Sequence, residues 1–383
     1  MYTNFLDFIF PTKNRWHLIE PTFQSFLKQT NQNFNLLIVD NSDMAEQEIL
    51  AQRLIAKYRD KLHIKYHRTG GLNMLDNWDK GYSLSDADYC YLVTDKIVLD
   101  VNAVKIFSEG TKRFPEIDIF LFSITGNTFW EKKKSKDLLK LTLDDMSHFF
   151  NACWGSELKA FLKREFKNEL IRKYKRIIHF VGGDVDEVYL GLMNRKEFAS
   201  IHYSIIQSRN HMVGSVGRSG EYGGNIYKRY LQDHHLDYDN LYPYAPVNIA
   251  NNWNGMYNDL FATARLCGYP CDVSQINKVN YIIGLYISLI QFQRLYQVAR
   301  PQDFLKLHNY IEENNLQFSP EINRCFRFYA ENYTTRDYRL PIPHPTKHSK
   351  WTPYLEAIFS VKKRNGVKYI RLFGFSFCFS PRK

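Results

Sequence analysis

The chain has 383 residues, 44% apolar and 16% aromatic, enough for a sizeable core in one large domain or two. Its 51 Lys and Arg against 40 Asp and Glu leave a net charge of +11, which suits an anionic partner, but neither RNP aromatics nor Cys/His fingers are present to make that partner a nucleic acid. No run reaches the ~18 apolar residues of a membrane span, no signal-peptide pattern opens the chain, and the six scattered cysteines read as reduced thiols, so a cytoplasmic location is expected.

Phe8, Ile9 and Phe10 form a short apolar run that is expected to end at Pro11, which has no N–H to give to a strand ladder. A polar cluster, Thr12-Lys-Asn-Arg15, follows, and then Leu18, Ile19, Phe23, Phe26 and Leu27 recur at helical spacing. Asn35–Asp40 is a second apolar run, ending in Asp40-Asn-Ser-Asp43. Strand, helix and strand make a βαβ unit, so the two strands should lie parallel and adjacent, with both polar ends on one edge of the sheet. Asp40 is then placed to accept hydrogen bonds from a base or ribose, or to cap a helix, and Lys13 or Arg15 to meet negative charge. Asp76-Asn-Trp-Asp-Lys-Gly81 precedes a third apolar run, from Tyr89 to Thr94, that the carboxylate of Asp95 breaks. A carboxylate at a strand end is one ligand for Mg2+ or Mn2+.

This series of motifs, Phe10-Pro-Thr-Lys-Asn-Arg15, Ile38-Val-Asp-Asn-Ser42, Asp76 to Gly81 and the tyrosine-rich strand ending in Asp95, resembles family 2 glycosyltransferases of the GT-A fold. The resemblance covers residues 5–125 well and is looser from 150 to 270. It implies an α/β fold, a Rossmann-like, mixed but mostly parallel sheet flanked by helices. It implies a nucleoside-diphosphate sugar donor held by Pro11, Thr12, Asn14, Arg15, Asp40 and Asn41, with Asn77, Gly81, Thr94, Asp95 and Lys96 lining the same site. The family's metal motif is Asp-x-Asp; Val93-Thr94-Asp95 lacks the first carboxylate, so Asp95 is the expected ligand of a divalent cation, or Lys96 supplies charge to the phosphates in its place.

Further along, Val101–Phe107 reads as a helix, Ile117–Ile124 as a strand, Glu131–Lys136 as a solvated loop and Phe149–Tyr174 as a helical pattern. His179-Phe-Val-Gly-Gly-Asp184-Val-Asp186-Glu187 bends at two glycines and then opens a helix with three carboxylates. An inverting glycosyltransferase needs one carboxylate as general base toward the acceptor hydroxyl; Asp186 is the first choice, Asp184 the second, and Glu187 a residue that orients the acceptor or caps the helix. A strand at 201–211 leads into a Gly/Ser-rich loop, 214–224, where Arg209, His211 and Arg218 resemble the family's leaving-group cover. Asn251-Asn-Trp-Asn-Gly255 and Asn258-Asp259 are expected near an acceptor sugar.

The expected organisation is a GT-A catalytic domain over 1–270, split into a nucleotide-binding half (1–125) and an acceptor half (126–270). A helical extension (271–333), a linker (334–352) and a basic aromatic tail (353–383) follow. The tail carries seven Lys or Arg and no acidic residue from 361 onward, with Asn365-Gly366 as a hairpin signal and Phe373, Phe375, Phe377 and Phe379 alternating. Such a tail suits the cytoplasmic face of the inner membrane, and it resembles those of bacterial capsule and lipopolysaccharide glycosyltransferases, whose acceptor is a glycan or lipid-linked glycan. Two other readings stay open: a degenerate GT-A protein that binds without catalysis, and a nucleotidyltransferase on a related fold.

Overall fold

A computed structural model describes residues 4–95, 97–123, 128–180, 185–209, 237–296, 301–318, 320 and 323, and three C-terminal strands. For the last three strands and residues 208, 209, 238, 252, 290–296 and 301 only the backbone is described. The chain divides into two compact units, Met1–Tyr310 and Ile311–Lys383.

The first unit is built on an eight-stranded sheet in the order β3-β2-β1-β4-β8-β6-β9-β7. Three crossovers make its parallel half: β1 (Leu6–Thr12), α1 (Glu20–Leu27), β2 (Asn35–Asp40), α2 (Ala45–Tyr58), β3 (Ile64–Arg68), α3 (Met74–Leu84) and β4 (Tyr89–Leu92). β1 pairs with β2 on one side and β4 on the other, both parallel. The strand order therefore reverses at the β1–β4 seam, the place where open α/β sheets bind ligands at the carboxyl ends of their strands. β1 runs on through Pro11, which is in register with Val39, to Thr12. Ile9 O, which receives Val93 N–H at 2.9 Å, faces β4, and so does the N side of Pro11 two residues later. β4 has ended at Leu92, so the missing N–H of Pro11 costs no ladder bond.

The other half is mixed. β5 (Ile97–Leu99), α4 (Ala103–Arg113), β6 (Ile119–Ser123), β7 (Trp130–Lys134), α5 (Ser135–Asp144) and α6 (Ser147–Cys153) precede a 3-10 turn at Trp154–Ser156. Next come β8 (Phe161–Lys163), α7 (Arg164–Tyr174), α8 (Asp186–Asn194), β9 (Glu197–His202) and β10 (Ile206–Arg209). Two expectations are corrected. Glu131–Lys134 is not a loop but most of the edge strand β7, antiparallel to β9; its lysines are the charges that keep an exposed edge from pairing further. The 149–174 pattern is not one helix. Glu157 and Leu158, at φ 54° and 63°, stop the turn, and β8 enters the sheet antiparallel between β4 and β6. Phe161 then stacks on Tyr91 and Phe107 at centroid distances of 4.2 and 4.1 Å, joining an aromatic core with Phe8, Phe23, Phe26 and Phe120.

α9 (Asn252–Cys267) and α10 (Lys278–Tyr296) follow, and α11 (Pro301–Glu313) crosses into the second unit. Among the described residues no helix is long and apolar enough to cross a membrane. In the second unit β11 (Phe359–Arg364), β12 (Val367–Leu372) and β13 (Phe375–Phe379) form an antiparallel sheet. The expected hairpin is present, with Arg364 opposite Val367, and a third strand extends it. The proposed linker, 334–352, lies outside the described residues.

Gly81 marks how closely α3 lies on the sheet: a Cβ there would stand 2.3 Å from Cγ2 of the buried Ile9. Gly81→Ala is expected to destabilise the protein by about 1–3 kcal/mol through overpacking. Urea denaturation measures it, and a neutral result would mean that α3 has room to move off β1.

Candidate functional site

The β1–β4 seam gathers the first group of polar residues. Beyond Ile9 and Val93 the strands separate, and side chains bridge the gap. Asp95, almost wholly buried, receives Arg15 Nη1 at 3.0 Å on Oδ1 and 3.2 Å on Oδ2, and Thr12 Oγ1 at 3.2 Å on Oδ2. Thr22 of α1 donates to the Asp95 carbonyl at 3.2 Å. The guanidinium of Arg15 is about a third exposed, so its charge faces both the carboxylate and the outside. Thr94 Oγ1 donates to Glu157 Oε2 at 2.7 Å, tying this loop to the turn before β8. β10 pairs antiparallel with β5 and sets Arg209 opposite Ile97, two residues past Asp95. Lys96, His211, Arg218 and the 214–224 loop lie outside the described residues.

The second wall is built at the end of β2. Asp40 is fully buried; its Oδ2 accepts from Trp16 Nε1 at 3.0 Å and Tyr66 Oη at 2.8 Å, and its Oδ1 from Ser42 N at 2.9 Å. Its carboxylate therefore clamps the wall instead of standing open toward a base or ribose. Burial and the Asp40 hydrogen bond push the Tyr66 phenol well above its ordinary pKa, so it stays a donor. Asn14 sits at φ 55°, a conformation that asparagine tolerates. Its N–H donates to Ser42 Oγ at 2.9 Å and its Nδ2 to Asp43 Oδ1 at 2.5 Å. Asn41 exchanges side-chain bonds with Leu72, donating to its carbonyl at 2.5 Å and accepting from its N–H at 3.0 Å. Asn77 is buried: it donates to Val39 O at 3.1 Å and accepts from Thr69 Oγ1 at 2.8 Å. With Gly81 packed on Ile9, Asn77 and Gly81 fix the wall from behind.

The third group lies where α8 begins. Asp186 and Glu187 are both buried. Asp186 Oδ2 accepts from the backbone N–H of His179 at 2.6 Å and Phe180 at 2.7 Å, while Oδ1 is buried with no hydrogen-bond partner. Burial pushes this carboxyl up to about 7, against the pull of the two N–H donors. Glu187 Oε1 lies 3.8 Å from Nζ of Lys159, itself 1% exposed and 4.6 Å from the Trp78 ring centroid. α3 steadies this region too: Asp79 Oδ1 accepts from Ile177 N at 2.6 Å and Ile178 N at 3.2 Å, and Asp76 pairs with Arg176 at 2.8 Å. Asp184 lies outside the described residues.

Sequence reasoning missed Trp16, Tyr66, Glu157 and Lys159, because an isolated polar residue in an aromatic or apolar stretch gives no local signal. Asn251, Asn254, Asn258 and Asp259, expected near an acceptor, are instead buried in the packing of α9. Asn251 caps that helix, and Asn254 donates to Ile249 O and accepts from Tyr281 Oη.

Divalent cations take several oxygen ligands. No group of three His, Cys, Asp or Glu side chains that could hold a metal occurs among the described residues. Asp95 offers a single carboxylate whose charge Arg15 already meets. Among the described residues the protein therefore offers a cation one carboxylate, Asp95, and no chemical step is derived through a metal.

Residues 7–156 match the family model for glycosyl transferase family 2, less than half of the chain. No curated protein matches it. Among solved structures, S. aureus TarS 1–349 in complex with UDP-GlcNAc aligns at 13% identity and a TM-score of 0.41, covering 99% of this chain and 100% of that one. The mannosyltransferase PcManGT from Pyrobaculum calidifontis, in complex with GDP-Man and Mn2+, aligns at 13% and 0.45, covering 91% and 83%. Likenesses at this level carry no argument about function.

Replacing Asp40 with Ala leaves the buried Trp16 Nε1 and the half-buried Tyr66 Oη without their acceptor. The expected loss is about 3 kcal/mol in chemical denaturation followed by tryptophan fluorescence. A loss below ~1 kcal/mol would show that the clamp on the second wall lies elsewhere.

Proposed function

We propose that this protein is a family 2 glycosyltransferase that moves a sugar from a nucleoside-diphosphate sugar to a hydroxyl of a glycan acceptor, with inversion at the sugar carbon. The observation that carries the reading is the meeting of Thr12, Arg15 and Asp95 at the β1–β4 seam, inside the segment that matches the family model. A diphosphate at this seam meets Arg15, whose guanidinium is anchored by Asp95 yet open to solvent on its other side. Pro11, Asn14 and Asn41 shape the backbone around the base, and Asp40 stiffens that wall from inside.

In the proposed reaction the acceptor oxygen attacks the sugar carbon from the face opposite the diphosphate. A new C–O bond forms, the bond to the diphosphate breaks, and the hydroxyl proton passes to Oδ1 of Asp186. An unpartnered, buried oxygen on a carboxyl held near 7 suits that task, because it is ionised often enough to accept the proton and basic enough to keep it. Arg209 follows β5 in register and supports a cover over the leaving group. The acceptor class we propose is a surface glycan, capsular or lipopolysaccharide in type, free or lipid-linked. The basic second unit, with Phe375, Phe377 and Phe379 at alternate positions of β13, supports peripheral attachment at an anionic cytoplasmic leaflet.

A thermal-shift series with nucleotide sugars tests the donor site. At a hundredfold excess over Kd the expected stabilisation is about 2.7 kcal/mol. The series is run in EDTA and in Mn2+; Arg15→Gln should lower donor affinity, and Arg15→Lys, which keeps a cation beside the buried Asp95, should lower it less. If no nucleotide sugar shifts the melt, the donor reading fails. Asp186→Asn should lower kcat by roughly 10²–10⁴ with donor affinity unchanged, and wild-type kcat/KM should rise with pH through about 7. A fully active Asp186→Asn enzyme would remove Asp186 as the base.

A further inference from the structure

The backbone from Ile177 to Phe180 presents four successive N–H groups, and two carboxylates divide them. Asp79 of α3 takes the first pair: its Oδ1 accepts from Ile177 N at 2.6 Å and Ile178 N at 3.2 Å. Asp186 of α8 takes the second: its Oδ2 accepts from His179 N at 2.6 Å and Phe180 N at 2.7 Å. This stretch belongs to no helix or strand, so no ladder orients its N–H groups. Burial of the Ile177 and Ile178 side chains sets the depth of the stretch, and the Asp79 bonds set the direction in which its backbone faces. α3 also holds the residue before it, since Asp76 Oδ1 lies 2.8 Å from Nη2 of Arg176. The helix itself is seated on the sheet and capped: Asn77 donates to Val39 O at 3.1 Å, and Asn73 Oδ1 accepts from Asp76 N at 2.9 Å.

We infer that Asp79 is a positioning residue for Asp186: it holds the 177–180 backbone in the orientation that keeps two N–H groups on one oxygen of Asp186. The inference rests on the proposed sugar transfer for its functional meaning. It adds a residue that stands on a different helix and touches neither donor nor acceptor. The charged and titratable groups around Asp186 are Lys159 and Arg176, which ease its ionisation, Glu187 beside it on α8, His179 on the stretch, lowered by burial, and Asp76 and Asp79 on α3. The two N–H donors also ease its ionisation, against the effect of burial.

Position and charge have opposite signs here, and melting temperature against pH separates them with no substrate present. A carboxyl whose folded pKa is raised stabilises the fold below its unfolded value and loses that contribution as pH rises through the folded value. Wild type should therefore lose melting temperature across the window from about 4 to about 7. As a positioning residue, Asp79 replaced by Ala frees the stretch and weakens the two bonds to Asp186, so the fall should continue above pH 7. Asp79→Asn keeps Oδ1 as acceptor and should end its fall where wild type does. Were Asp79 to act through its charge, both variants would remove a negative neighbour and end the fall at lower pH. The extra fall in Asp79→Ala should vanish when Asp186→Asn is added, because the titrating group is gone. Should Asp79→Ala not fold, Asp79→Ser, whose shorter side chain withdraws the acceptor, carries the same expectations. In turnover, Asp79→Ala should lower kcat by roughly 10–10²-fold with donor affinity unchanged, and Asp79→Asn should recover most of the loss. A fall that ends at or below the wild-type pH in Asp79→Ala, an Asp79→Asn profile that follows Ala, or an extra fall that survives Asp186→Asn would each overturn the assignment. The melting arm needs no donor, so it can hold where the nucleotide-sugar series fails, and the two readings fall separately.

Discussion

Arg15 and Asp95 close the seam at which the sheet changes direction. β1 and β4 run side by side only as far as Ile9 and Val93; beyond that, backbone pairing gives way to a guanidinium, a carboxylate and the Thr12 hydroxyl. This is a demanding place to bury charge. Asp95 is tolerated there because Arg15 neutralises its carboxylate and the Thr12 hydroxyl donates to it. In turn Arg15 is held at the carboxyl ends of the strands with part of its charge facing outward. Much of the remaining polar architecture serves to keep this opening rigid: the Asp40 clamp stiffens the second wall, and the Thr94–Glu157 bond fixes the loop that follows Asp95.

The same logic recurs at α8 with the balance tilted the other way. At the seam Arg15 and the Thr12 hydroxyl hold the Asp95 carboxylate. At α8 Asp186 has one oxygen on two backbone N–H groups and the other without a partner, and burial raises it into the range where protons move. Both carboxylates are buried, and they differ in the groups that meet them, a guanidinium at the seam and backbone N–H groups at α8. This difference separates a residue that anchors from a residue suited to exchange.

The parallel half was largely legible in the sequence, because apolar runs separated by helical periodicity and ended by polar clusters admit few topologies. The placement of Thr12, Arg15 and Asp95 at one edge follows from that alone. What was not legible depended on distant partners. Nothing around Asp40 announces that Trp16 and Tyr66 will occupy its carboxylate. Lys159 reads as an ordinary lysine until β8 folds back between β4 and β6 and buries it. The 149–174 stretch carries helical spacing throughout, and only the two left-handed residues, Glu157 and Leu158, break it; neither is a glycine, so no local signal marks the break. The Glu131–Lys134 charges read as a loop because an edge strand and a solvated loop call for the same polar residues.

α3 has a role that neither site reveals separately. Its Asn77 holds Val39 at the second wall, while Asp76 and Asp79 hold the backbone that leads to Asp186 and Trp78 covers Lys159. Four consecutive side chains on one turn thus act as a gauge block between the two walls, and Gly81 seats the block against β1 without play. A spacer of this kind makes the separation of the walls a fixed dimension of the fold. Adaptation to a different donor or acceptor would then fall to the loops above the seam, and the turn from Asp76 to Asp79 would be the last part free to change.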